Sequence, residues 1–110
     1  MEQSPIFIKV YDLTKWLLER CQKFPKSQRF VMAKRVENTI LDLQDNLIKA
    51  VKLTKKQPYF LIASDIELEK LRKYLRLCQD LQLLTFKQYE YASKEIVEIG
   101  NLLGKWIKGK

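Results

Sequence analysis

Two pairs of carboxylates, Asp42/Asp45 and Glu95/Glu98, stand three residues apart, close enough on a helical face to hold a metal. A di-iron bundle needs Glu-x-x-His motifs, however, and the chain contains no histidine. That absence also excludes a His general base, Ser-His and Cys-His nucleophilic pairs, and His-bearing metal sites. Cys21 and Cys78 stand alone, without the CxxC pairing of a zinc site. No glycine-rich phosphate loop follows a strand, because no segment reads as a strand. The carboxylate pairs therefore read as polar helix faces, and no catalytic residue, metal site or cofactor is expected.

What remains is cation chemistry. Lys and Arg number 21 against 13 acids, a net charge of +8. An excess of that size points to a polyanionic partner: nucleic acid first, then an anionic membrane surface or an acidic protein. Arg72 and Arg76 lie one helical turn apart with Lys73 beside them. The stretch KFPKSQRF (23–30) carries Lys23, Lys26 and Arg29, although a turn needs only a breaker and a cap. Phosphate recognition calls for cations held at phosphate spacing, Arg as a bidentate fork and Lys as a point charge. Solvated structural charge is the plainer alternative. Glu69 lies i,i+3 from Arg72 and i,i+4 from Lys73, and cations in last turns complement the helix dipole.

The elements that must hold these cations are helices. Ala33, Val36, Ile40, Leu43, Leu47 and Ala50 alternate steps of three and four, as do Tyr89, Ala92, Ile96, Ile99, Leu103 and Trp106. Shorter seams run Val10, Leu13, Leu17, Cys21, Phe24 and Leu61, Leu68, Leu71, Leu75, Cys78. Such spacing keeps apolar side chains on one helical face. Ser4-Pro5 reads as a cap with proline at the first helical position. Pro25 stops the first helix, Ser27 is placed to cap the second, LTKKQP ends it, and Thr85 with Gln88 forms a capping box. The spacing predicts helices near 5–24, 28–54, 58–82 and 86–107. Connections this short join antiparallel neighbours, so residues 1–110 are expected to form a single all-α domain, an up-down-up-down four-helix bundle.

That topology explains the charged turn. It brings the ends of helices 1 and 3 and the starts of helices 2 and 4 to one pole, approximated by windows 19–37 and 72–90. These windows hold Arg20, Lys23, Lys26, Arg29, Lys34, Arg35, Arg72, Lys73, Arg76 and Lys87 against four acids. The lone aromatics there, Phe30 and Phe86, read as core rather than as base-stacking platforms.

The apolar start IFIKVYDL is interrupted by Lys9 and Asp12 and lacks a cleavage pattern, so no signal peptide is expected. No apolar run approaches the ~18 residues of a membrane span. Both cysteines fall on apolar seams, which fits free thiols acting as small hydrophobes in a reducing cytoplasm. Outside the seams, Tyr74, Leu77, Leu81 and Leu84 form an extra stripe on helix 3. Phe86, Tyr89, Ser93, Val97, Gly100, Gly104 and Ile107 form another on helix 4, and Trp16 lies off the seam of helix 1. These read equally as wide core faces or as a subunit interface, with Gly100 and Gly104 admitting another helix closely.

The runs YDLTKWLLERCQKFPKSQRF, LEKLRKYLRLCQDLQLLTFKQYEYASKEI and EIGNLLGKWIK, in this order over about residues 8–108, resemble the accessory variability determinants of diversity-generating retroelements. Those belong to a wider group of bacterial four-helix bundle proteins that includes products of 23S ribosomal RNA intervening sequences. The resemblance implies a basic, barrel-like homopentamer without catalytic residues of its own. It further implies association with the retroelement's reverse transcriptase and with template RNA or cDNA, in support of mutagenic retrohoming. Arg20, Lys23, Lys26, Arg29, Lys34, Arg35, Arg72, Lys73 and Arg76 are the expected nucleic-acid or partner contacts. The competing reading is a bundle scaffold whose positive charge meets an acidic protein.

Overall fold

The computed structural model describes residues 4–109. Four long helices account for most of them: α1 (Pro5–Cys21), α2 (Lys34–Lys52), α3 (Gln57–Asp80) and α4 (Phe86–Lys108). A helical turn, Lys26–Gln28, and a π-helical turn, Arg29–Ala33, lead into α2, and a 3-10 turn, Thr54–Lys56, follows it. No strand occurs among the described residues. Helix α1 packs on α2 and α4, and α3 packs on the same two, which closes a square. Trp16 meets Tyr91, whereas Lys9, earlier on α1, reaches Glu95 and Glu98, later on α4. The pair is therefore antiparallel. At 1.5 Å per residue α3 spans about 36 Å, most of the 42 Å long axis of the molecule. The chain is thus an all-α four-helix bundle.

The apolar seams form the core. Every residue of the Val10–Phe24 and Ala33–Ala50 seams is buried, as are Leu61, Leu68, Leu71, Leu75 and Cys78 of α3. On α4, Ala92, Ile96, Ile99 and Leu103 are buried, while Tyr89 and Trp106 pack half-buried at its two ends. Each fully buried leucine stabilises by about 1.5–3 kcal/mol relative to exposure. Three hydroxyls share this interior, and each donates to the carbonyl four residues back: Thr14 to Val10 (2.6 Å), Thr39 to Arg35 (2.7 Å) and Ser64 to Phe60 (2.8 Å). This satisfies a buried polar group without breaking the seam.

Helix ends show where local sequence decided and where it did not. Thr85 and Gln88 form the expected reciprocal box, with Gln88 N–H donating to Thr85 Oγ1 at 3.1 Å and Thr85 N–H to Gln88 Oε1 at 3.0 Å. Ser4 adopts extended cap geometry ahead of Pro5 but accepts no cap bond through its side chain. Ser27 does not cap the second helix; it sits inside a turn that already starts at Lys26, with Pro25 at the cap position. Helix α1 ends at Cys21, short of Phe24, because Lys23 and Phe24 donate three residues back and tighten the chain. The end of α2 is closed by Gln57 Nε2, which donates to the Ala50 carbonyl at 2.7 Å. Helix α3 closes in a Schellman arrangement: Leu83 N–H bonds Cys78 O at 2.8 Å, Gln82 N–H bonds Gln79 O at 3.0 Å, and Gln82 takes a left-handed φ of 62°.

Between α1 and α4, Lys9 is clasped by Glu95 (3.4 Å) and Glu98 (3.3 Å). The hydrogen bond to Glu98 is the main influence raising the Lys9 pKa, and the same bond lowers that of Glu98. This carboxylate pair therefore serves as an interhelical tie. Gly100 faces its own bundle, since a Cβ there would meet Leu68 Cδ2 at 3.5 Å, whereas nothing approaches Gly104 within 4 Å.

Cys21 and Cys78 are free and buried. Desolvation pushes the Cys21 thiol up to about 12, with Glu37 and Cys78 adding to the effect, and pushes Cys78 up to about 11. Two consequences are expected. A thiol reagent at mildly alkaline pH labels the native protein slowly and the denatured protein fast, because the thiolate is the reactive form. Folding favours the neutral thiols, so their contribution is full below the ordinary value of 9.0 and is lost as pH rises from there towards 11 and 12. Equally fast labelling of native and denatured protein would place the thiols outside the core.

Candidate nucleic-acid interface

The turn KFPKSQRF is built from its apolar member outward. Phe24 is buried and plugs the end of the core between α1 and α2. Arg29 Nε donates to the Phe24 carbonyl at 3.2 Å, across Pro25, and so staples the turn shut. The π-helical turn that follows adds a residue to one helical turn and shifts the register of the side chains. Met32 and Ala33 point inward, while Phe30 and Val31 are displayed outward at 83% and 59% exposure.

Around Phe30 stand three of the expected contact residues. On one side a recess of about 500 Å³ is lined by Cys21, Gln22, Arg29, Phe30, Ala33, Lys34 and Glu37. On the other a cleft of about 560 Å³ between α2 and α3 is lined by Phe30, Val31, Lys34, Arg35, Tyr74 and Leu77, among others. Phe30 and Lys34 line both hollows. Arg35 bridges the second, its guanidinium 5.5 Å from the centroid of the Tyr74 ring and its Nη1 donating to Tyr74 Oη at 3.1 Å. Tyr74 thus orients the arginine and leaves most of its five N–H donors free for another acceptor.

The remaining expected contacts are arranged differently. Arg20 lies half-buried on its own helix, 5.7 Å from the Trp16 ring, and its Nε is buried without a partner. Lys23 and Lys26 are exposed, and with Lys34 they enter no ion pair among the described residues. On α3, Arg72 pairs with Glu69 at 2.8 Å, Lys73 reaches the same carboxylate at 4.0 Å, and Arg76 meets Asp80 at 3.5 Å. These pairs are solvent-exposed and hold their cations by about 0–1 kcal/mol each, so a phosphate can displace the carboxylate. Arg72 lines a separate groove of about 240 Å³ with Asp65, Glu69, Val97, Gly100 and Asn101, between α3 and α4. Arg29, Lys34 and Arg35 therefore share one surface around Phe30, and Arg72 stands on another flank.

Two aromatic assignments are corrected. Phe30 and Phe86 are not core residues; they are 83% and 64% exposed. Reading a lone aromatic as core fails for Phe30 because the π turn turns it outward just where the α2 seam begins, and for Phe86 because it opens α4 directly after the Thr85 cap. A phenylalanine beside several cations was the available signal for an exposed platform. Leu77 and Leu81 are likewise exposed, whereas Leu84, from the same stripe, is buried.

The arrangement can hold an extended polyanion along cations and offer an aromatic face beside them. Among the described residues no three His, Cys, Asp or Glu side chains converge as a metal site, and no helix is long and apolar enough to cross a membrane. Comparison with curated proteins finds no match. Comparison with protein families matches residues 6–109, nearly the whole chain, to the family described as bAvd-like. The chain belongs to the bAvd-like family, the bacterial accessory variability determinants.

Proposed function

We propose that this chain is a non-enzymatic accessory protein of a diversity-generating retroelement. It binds template RNA or cDNA through its arginine-rich end, associates with the reverse transcriptase in the cytoplasm, and supports mutagenic retrohoming as a homopentamer. The family match supports the accessory role. The observation that carries the nucleic-acid reading is the grouping of Arg29, Lys34 and Arg35 around an outward-facing Phe30. Phosphates meet the cations, and an unstacked base has a ring face to lie on. Self-assembly is supported by the outer face of α3, where Tyr59, Ile62, Ile66, Leu77 and Leu81 are exposed opposite the core seam. A mass of five chains of 13.2 kDa each in solution is the expected assembly.

The test is fluorescence-anisotropy binding to structured RNA and to duplex DNA, titrated with salt. With about six phosphates engaged, log affinity for the duplex falls with log salt at a slope of roughly −5. Absence of binding even at low salt would overturn the reading. The exposed Val31 and Leu77 beside Arg35 favour a second one, in which the same cleft receives an acidic protein segment. Partner capture that survives nuclease treatment selects that alternative.

A further inference from the structure

The end of the bundle opposite the arginine cluster is also basic, and its chemistry differs. The last turn of α2 carries Lys49 and Lys52, the 3-10 turn carries Lys55 and Lys56, and the last turn of α4 carries Lys105 and Lys108. All six are exposed, and none enters an ion pair among the described residues. Among the described residues of this end, segments 4–11, 46–64 and 99–109, no Asp or Glu occurs. Lys9, the remaining cation of these segments, is held by Glu95 and Glu98. A cation in the last turn complements a helix dipole, but Lys55 and Lys56 lie beyond α2 and add to a field that no acidic side chain among the described residues of this end offsets.

Within that field lies an apolar notch of about 400 Å³. It opens between the start of α1 and the ends of α2 and α4; Ser4 stands at its edge, and its apolar walls are Pro5, Ile6, Phe7, Val51, Leu102 and Trp106. Ile6 forms the buried floor, and Phe7, Val51, Leu102 and Trp106 are half-buried around it. The notch gives a purpose to an apolar side chain, and the lysines give one to carboxylates. A polyanion without apolar groups would leave the notch solvated, and an uncharged ligand would leave the lysines idle. A nucleic-acid base needs an open ring face, whereas Phe7 and Trp106 are partly sunk into the walls. A bilayer is flat, and this surface is concave.

We propose that this end docks an acidic amphipathic helix of a protein partner, with one apolar side chain seated in the notch and Asp or Glu facing the lysines. The apolar anchor supplies most of the affinity from the desolvated centre, and the lysine rim speeds encounter and fixes orientation. Lysine suits that rim, since a compact charge on a flexible stem tolerates carboxylates in several positions. The proposal is independent of what the arginine-rich end binds.

A fluorescein-labelled helical peptide with Glu along one face and Leu and Phe along the other tests it by anisotropy on the full chain. Binding is expected, and replacing the peptide's Leu and Phe with Ser at unchanged charge weakens it about tenfold or more. The double variant Lys52→Glu/Lys105→Glu, at exposed positions, lowers affinity and flattens its salt dependence. Leu102→Ser lowers affinity with the salt dependence kept. Lys26→Glu/Lys34→Glu/Arg35→Glu, at the far end of a 42 Å molecule, leaves peptide binding within about twofold at physiological salt, where charges are screened over about 8 Å. Equal binding of the Ser-substituted peptide would overturn the proposal by making the notch irrelevant. So would a Lys52→Glu/Lys105→Glu variant that keeps the peptide but loses duplex DNA or phosphatidylserine vesicles, which would assign this end to nucleic acid or membrane.

Discussion

With Lys26, Lys34 and Arg35 all replaced by Glu, affinity for structured RNA or duplex DNA at about 0.1 M salt falls at least about a hundredfold, and the salt slope flattens by about three. Lys26 and Lys34 are exposed and form no ion pair among the described residues, so their loss costs the fold little. Arg35 gives up a surface contact with Tyr74. Arg29 is left in place because its bond to the Phe24 carbonyl holds the turn. Replacing Arg72 and Arg76 with Glu is expected to cost less, about tenfold. Those arginines already share their field with Glu69 and Asp80, and Arg72 faces the α3–α4 groove rather than Phe30. Circular dichroism checks that each variant keeps its helicity. A triple variant that is fully helical and binds as tightly as the parent would sink the assignment of this end to nucleic acid.

Most of the bundle could be read directly from residue spacing, and the reason is physical. Seams such as Val36, Ile40, Leu43 and Leu47 repeat at the helical period, and each of those residues is buried. Period alone determines which face of a regular helix goes inward. It fails where the helix is irregular. The π turn at Arg29–Ala33 shifts the register, and no local residue type announces it, so Phe30 looked like core. Ser27 looked like a cap because the intervening Lys26 gave no sign that the turn had already begun. The site was legible as a concentration of charge but not as a shape. Arg35 with Tyr74, 39 positions apart, and Arg72 with Gly100 are tertiary neighbours whose pairing depends on how α3 is rotated between α2 and α4. The second basic end escaped notice for a related reason. Its lysines are offset in any overall count by the acids of the waist, such as Asp12, Asp42, Asp65 and Glu95, and only the fold separates the two.

Phe30 and Leu43 make the contrast between core and surface measurable in one experiment. Leu43 has no exposed surface and sits mid-way along the α2 seam. Leu43→Ala removes buried methyl groups from a packed interior and is expected to cost about 3 kcal/mol, lowering the melting temperature by about 10 °C or more. Phe30 carries a larger ring, yet it is 83% exposed. Phe30→Ala is therefore expected to change stability by no more than about 0.5 kcal/mol. Its effect belongs to binding instead: losing a stacking face weakens single-stranded RNA binding by about tenfold, since a base on an aromatic ring is worth about 1–3 kcal/mol. The salt slope stays unchanged, because no cation has been removed. Urea melts and anisotropy on the two variants separate the possibilities. If Phe30→Ala destabilises as much as Leu43→Ala, the ring belongs to the core, as expected of a lone aromatic from the sequence. In that case the arginine-rich end binds through charge alone.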